Sequence, residues 1–136
     1  MITKEQAVEK FNQHAEKVRQ NRIAQTERVK QRTIEWCNEE LSKIIEAGAS
    51  RGDRRTFINV AHYGNEADEC ITHIEQYGSS GVYERKQSIH IPTLIEYVQK
   101  HGFTTRMKEK RFNIGKSSLK RDETWTDGIE YAIEWA

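Results

Sequence analysis

The first third of this chain has no punctuation. From Ile2 to Ala47 there is neither glycine nor proline, and the single proline (Pro92) and all eight glycines lie beyond it. Nothing in that stretch obliges the backbone to turn. Cysteine is scarce too. Cys37 and Cys70 sit among helix-like surroundings, too few for a disulfide framework and ordinary for a reducing cytoplasm. No run approaches the ~20 apolar residues of a membrane span, and Ile2–Lys10 lacks the apolar core of a signal peptide. A cytoplasmic location without a membrane partner is the resulting expectation. A dominant charge is missing as well. Lys and Arg number 22 against 21 Asp and Glu, so the net +1 provides no global field to gather nucleic acid or a lipid surface.

What is present is unevenly placed. Of twelve aromatics only Phe11 and Trp36 precede residue 57. The core therefore belongs to the second part of the 136 residues, giving a helical segment 1–47 and a compact unit 48–136.

Thr3 and Gln6 are spaced as a capping box. Val8, Phe11, Ala15 and Val18 follow at helical spacing, and Ile34, Cys37, Leu41 and Ile44 repeat it. Between these stripes the chain is polar, so it is either one bridging helix or a helical hairpin turning near Asn21. A rod of this length cannot be covered by the remaining residues. Self-association through Val8, Phe11, Ala15 and Val18 is therefore expected. The polar middle carries Arg19, Arg22, Arg28, Lys30 and Arg32, either a phosphate-contacting stripe or a solvated face.

Gly48 stands where a helix C-cap belongs. Thr56–Tyr63 alternates with bulk on both faces, as a central strand does, and Gly64-Asn65 ends it. Glu66–Tyr77 reads as a short helix with Ala67, Cys70, Ile71 and Ile74 on one side. Gly78-Ser79-Ser80-Gly81 is a tight connection. Val82–Ile91 is a strand or a loop leading into a helix that Pro92 opens and Gly102 closes. Phe103, Thr105 and Met107 alternate inward. Phe112 and Ile114 fall on the other parity, which predicts a bulge at Lys108–Arg111. Gly115–Asp127 is a polar loop, and Ile129, Tyr131, Ile133 and Trp135 form a terminal strand. The fold class is α+β: a long N-terminal helix or hairpin, then a small antiparallel sheet with two short helices.

Chemistry is sparsely written. Gly115-Lys116-Ser117 looks like the end of a phosphate-binding loop, but Lys110 stands where the first glycine belongs. Cys70 and His73 are one helical turn apart, with His62 as a third candidate, and the fourth ligand of a structural metal is missing. No metal and no cofactor is expected. His62, His73, His90 and His101 could each serve acid–base chemistry, but no nucleophile or paired-carboxylate pattern accompanies them. Arg51-Gly52-Asp53 matches an adhesion tripeptide by coincidence. An enzyme is not indicated.

The remaining signal is a set of cations and amides: Arg54, Arg55, Asn59, Arg106, Lys108, Arg111 and Asn113. Arginine forks hold phosphate or carboxylate oxygens bidentately, and Tyr63, Tyr83 or Phe112 could stack on a base. Gathered on one sheet face, these residues would form an anion pocket. The net charge of the segment Lys100–Arg121 is +7, and five acids with no base follow it, so paired strands would cancel much of both.

The tail, with helix Pro92–His101, the turn Lys100-His101-Gly102-Phe103, a polar strand and terminal Ile133-Glu134-Trp135, resembles small bacteriophage accessory proteins in layout. The resemblance implies a host-takeover or anti-defence protein, and no binding residue is carried over with it. The expectation is a non-enzymatic binding protein that oligomerises and holds a small anionic, nucleotide-like ligand or a host protein. The alternatives are a nucleic-acid binder using the basic helix middle and residues 100–121, and a small enzyme.

Overall fold

The structure, a computed structural model, describes residues 1–63, 69–79, 81–116 and 123–136, with only the backbone of Lys116 and Glu123. Gly64-Asn65, the start of the expected helix at Glu66–Asp68, Ser80, and 117–122 of the expected loop lie outside it.

The N-terminal rod does not turn. Thr3 caps α1 (Lys4–Trp36) through a complete capping box, Oγ1 accepting from Gln6 N and Gln6 Oε1 accepting from Thr3 N. One wide turn, Cys37–Leu41, leads directly into α2 (Ser42–Ser50) with αR backbone throughout. The wide turn carries Ser42 Oγ to the carbonyl of Cys37, five residues back, at 2.9 Å. It also brings Trp36, Cys37 and Leu41 onto one face, where all are buried. Such insertions re-aim a helix where a strict 3.6 period would rotate a core residue outward.

Gly48 is not the cap. The helix runs on to Ser50, and Gly52 takes the left-handed conformation (φ 88°). Asp53 N donates to Gly48 O and Gly52 N to Ala49 O, the paired bonds of a Schellman ending. Gly48 is instead an interior contact. A Cβ there would stand 3.3 Å from the Trp135 ring.

Five antiparallel strands follow: β1 (Arg55–Ala61), β2 (Cys70–Tyr77), β3 (Val82–His90), β4 (Thr104–Lys116) and β5 (Glu123–Glu134), ordered β3-β2-β1-β5-β4. β1 is central, as its two-sided bulk implies. The single short helix among the described residues, α3 (Ile91–Lys100), sits between β3 and β4 with Pro92 in its first turn. The second short helix expected at Glu66–Tyr77 is β2. Cys70 and His73 are therefore strand residues and do not share a helical face; each packs against the rod, Cys70 on Val29 and His73 on Trp36.

One face of the sheet carries the main core. Ile58, Val60, Ile71, Ile89, Tyr131 and Ile133 meet Trp36, Cys37 and Leu41 of the rod and Leu94 and Val98 of α3. The opposite face holds a smaller cluster of Ala61, Ile74 and Phe112 beside Tyr63 and Tyr83. Phe112 lies over Gly128, where a Cβ would come within 2.7 Å of its ring and closer still to Val60 O. Tyr83 of one edge strand meets Phe112 of the other at 4.9 Å, edge to face, so the sheet curls nearly shut. This explains the parity change along β4. No bulge occurs at Lys108–Arg111, and pairing with β5 is regular until Asn113/Gly115. Phe112 is buried on the outer face, while Met107, expected inward, is 63% exposed on an edge that the rod does not cover.

The rod overshoots this body. Residues 1–25 are all exposed, and burial begins at Thr26 and Val29, the latter against Cys70. About 33 Å of helix stands free at 1.5 Å per residue.

Candidate functional site

The sequence-nominated anion residues are distributed by strand parity. Arg55 and Arg106 converge, but on a carboxylate. Arg106 donates Nε and Nη2 to Glu134 at 2.9 and 3.2 Å, and Arg55 Nη1 lies 3.9 Å away. The fork of Arg106 holds the Glu134 carboxyl below its ordinary pKa range. Lys108 shares a cross-strand row with Glu130 and Asn59, and neighbouring Lys110 binds Glu130 at 3.2 Å. Arg111 and Asn113 face the other way. Arg111 lies 3.8 Å from Asp127, and buried Asn113 accepts from Gly115 N. Arg54 is exposed and uses its carbonyl to receive Trp135 N.

Two of the nominated residues, Tyr63 and Asn59, do share a surface, and there a residue that the sequence reading passed over completes the set. Arg85 places its guanidinium 4.2 Å from the Tyr63 ring centroid. Asn59, Ile74 and Arg85 form one row across β1, β2 and β3. Asn59 Oδ1 is buried with no hydrogen-bond partner among the described residues. Tyr63, Tyr77, Val82, Tyr83, Glu84, Arg85 and Ile114 line a cleft of about 420 Å³, and the Glu84 carboxylate there is held by Lys86 at 2.6 Å. Arg85 has no carboxylate within ion-pair distance among the described residues, unlike Arg55, Arg106, Lys110 and Arg111. Burial raises the Tyr63 phenol pKa, and the charge of Arg85 opposes that shift. The signal available in the sequence was the alternation Tyr83, Arg85 beside a second aromatic strand end, legible only with the pairing known.

The cations of the rod do not form a line. Arg19 is held by Glu16 at 2.7 Å and Lys30 by Glu27 at 3.1 Å. At about 100° per residue, Arg22 falls within the apolar stripe, while Arg28 and Arg32 lie on the far flank. Val8, Phe11 and Val18 are 48%, 70% and 45% exposed, with Ala15 between them.

Two histidines are buried. His90 caps α3, its Nδ1 receiving Thr93 N, with Thr93 Oγ1 at 2.7 Å and Glu69 at 3.6 Å from Nε2. The carboxylate–imidazole–hydroxyl order looks like a nucleophile relay, but the ring's bond to the backbone N–H makes it an N-cap. His73 faces the rod 5.1 Å from the Trp36 ring, its Nε2 lies 3.9 Å from Glu75, and its Nδ1 is buried without a hydrogen-bond partner among the described residues. Burial lowers both pKa values. His62 and His101 are exposed.

Comparison with protein-family models, with curated proteins and with solved structures finds no match to this chain. Among the described residues no helix is long and apolar enough to cross a membrane. No group of three or more His, Cys, Asp or Glu is placed among them to hold a metal ion.

Proposed function

We infer that the protein is a non-enzymatic binding protein whose cleft at Tyr63, Tyr83 and Arg85 takes a planar anionic ligand of nucleotide type. The observation carrying this reading is the Arg85 guanidinium lying on the Tyr63 ring with no carboxylate partner among the described residues. A guanidinium stacked on an aromatic keeps its in-plane N–H groups free for phosphate or carboxylate oxygens. The flanking tyrosine rings offer a face for a base. With the phage-accessory layout of its tail, the protein reads as a factor that sequesters such a ligand.

Native mass spectrometry of protein purified from cells at moderate salt tests this, together with calorimetric titration against nucleoside mono- and diphosphates. Bound mass of nucleotide size is expected, with affinity falling roughly tenfold or more in Arg85→Ala, equivalent to about 1.4 kcal/mol or above. Bare protein that binds none of the panel, or an Arg85→Ala variant that binds unchanged, overturns the assignment.

A further inference from the structure

The apolar stripe on the free part of the rod has a defined direction. Thr26, Val29, Thr33 and Trp36, which turn toward the body, each follow Val8, Phe11, Ala15 and Val18 by eighteen residues, about five helical turns. The exposed stripe is thus the sheet-facing side of the same helix, continued beyond the sheet's edge.

We propose that this face binds a second copy of the chain, with the two rods antiparallel about a two-fold axis near Gln13. A parallel pair is sterically excluded. Each protomer's sheet occupies the side of its rod along which the partner's residues 26–50 would have to run. In the antiparallel pair the sheets lie at opposite ends. Helix α1 then starts with Lys4 beside Arg22 of its neighbour, just short of the covered turn at Thr26. That solvent-exposed like-charge contact weakens each end of the seam.

The register is set by side-chain chemistry. Val8 of one copy meets Val18 of the other and Phe11 meets Ala15, four apolar layers by symmetry. A slip of one heptad sets Lys4 opposite Ala15, or Arg22 opposite Phe11. In the matched register Glu5 lies beside Arg19 of the second copy, twice. Parallel rods would bring His14 toward Arg19 instead, with no such pair. Arg19, now held by exposed Glu16, can share its fork between the two carboxylates. Four layers are few, so the dimer is expected to dissociate on the order of 10⁻⁶–10⁻⁴ M.

The test uses the full chain. Sedimentation equilibrium from micromolar to millimolar concentration should show a monomer–dimer equilibrium that Phe11→Asp abolishes without loss of sheet signal. Glu5→Arg and Arg19→Glu should each weaken it roughly tenfold, and together they should restore it. Spin labels on thiols introduced at Gln6, Gln13 and Gln20 should lie closest at position 13. At 6 and 20 an axial offset of about 21 Å should add to the separation. A monomer at all concentrations, equal distances at the three positions, or a double swap that fails to restore association overturns the proposal. It stands apart from the ligand reading, because Arg85→Ala should leave the dimer intact.

Discussion

The two halves of the N-terminal rod carry the same spacing on the same face and end in different surroundings. Residues 26–50 put Val29, Thr33, Trp36, Cys37 and Leu41 against the sheet and α3, all buried. Residues 4–25 repeat the spacing with Val8, Phe11, Ala15 and Val18 and meet only solvent within one chain. An amphipathic period says that a face is to be covered; what covers it depends on what the rest of the chain can reach. Here the sheet is shorter than the rod. The covered half also carries the structural adjustments, a wide turn at Cys37–Leu41 and a Schellman ending at Gly52, while the free half is regular helix throughout.

Substitutions should divide along this line. Leu41→Ala, in the fully buried turn, should cost about 2–5 kcal/mol in chemical denaturation. Trp135→Ala, which strips a half-buried ring from Gly48 and removes the indole N–H donated to Asp53 O, should cost about 2–3 kcal/mol. Phe11→Ala, one of the exposed positions, should change the unfolding free energy of the monomer by no more than ~0.5 kcal/mol. A Phe11 effect as large as that of Leu41, measured at concentrations where the protein is monomeric, would erase the distinction between the halves.

Acid should act on the covered half. Burial keeps His73 neutral in the folded protein below its ordinary pKa of 6.5, whereas the unfolded chain takes up a proton. The unfolded state therefore binds more protons, and stability falls as pH drops through 6.5 and continues to fall until the folded-state pKa is reached. His90 is lowered by burial first and adds in the same direction. Urea midpoints should thus decrease between about pH 7.5 and about pH 5.5, and His73→Phe should flatten that slope. An unchanged slope would place the imidazole in water.

The smallest effect is expected at the β4–β5 edge. Glu134→Gln removes the partner of Arg106 and Arg55, yet exposed pairs contribute little net stability. Its thermal midpoint should stay near that of the parent protein. A large drop would mean that the pair organises the edge strand.

Much of the fold was legible in the residues. The Thr3 cap, the long helix, the Pro92 helix, the central character of β1 and the terminal hairpin all follow from local chemistry and period. Gly48 is misread as a cap and Glu123–Asp127 as loop, although the first is an interior helix contact and the second is part of β5. Burial on two faces accounts for the helix expected at Glu66–Tyr77. Cys70, Ile71 and Ile74 mimic a helical stripe because residues 70–74 are covered by the rod on one side and by the Phe112 cluster on the other, with a register shift between Thr72 and Ile74. The parity change between Met107 and Phe112 imitates a bulge because Phe112 is buried on the outer face while Met107, on the other face, is exposed. Of the candidate ligand residues, Tyr63 lines the cleft and Asn59 lies on the same sheet face, while Arg55 and Arg106 are bound to Glu134. Arg85 is legible only with the pairing known, because its partner Tyr63 lies just past the end of β1, far away in the chain.

Sequence alone determined the elements whose cause lies within one or two turns: the gap in glycine and proline that makes the rod, its cap, and the periods that assign helix and strand. Only the tertiary structure decided which carboxylate neutralises which arginine, which strand end reaches the far edge, and where along the rod cover stops. Those outcomes depend on strand order and on the length of the sheet relative to the helix, quantities fixed by contacts between residues far apart in the chain.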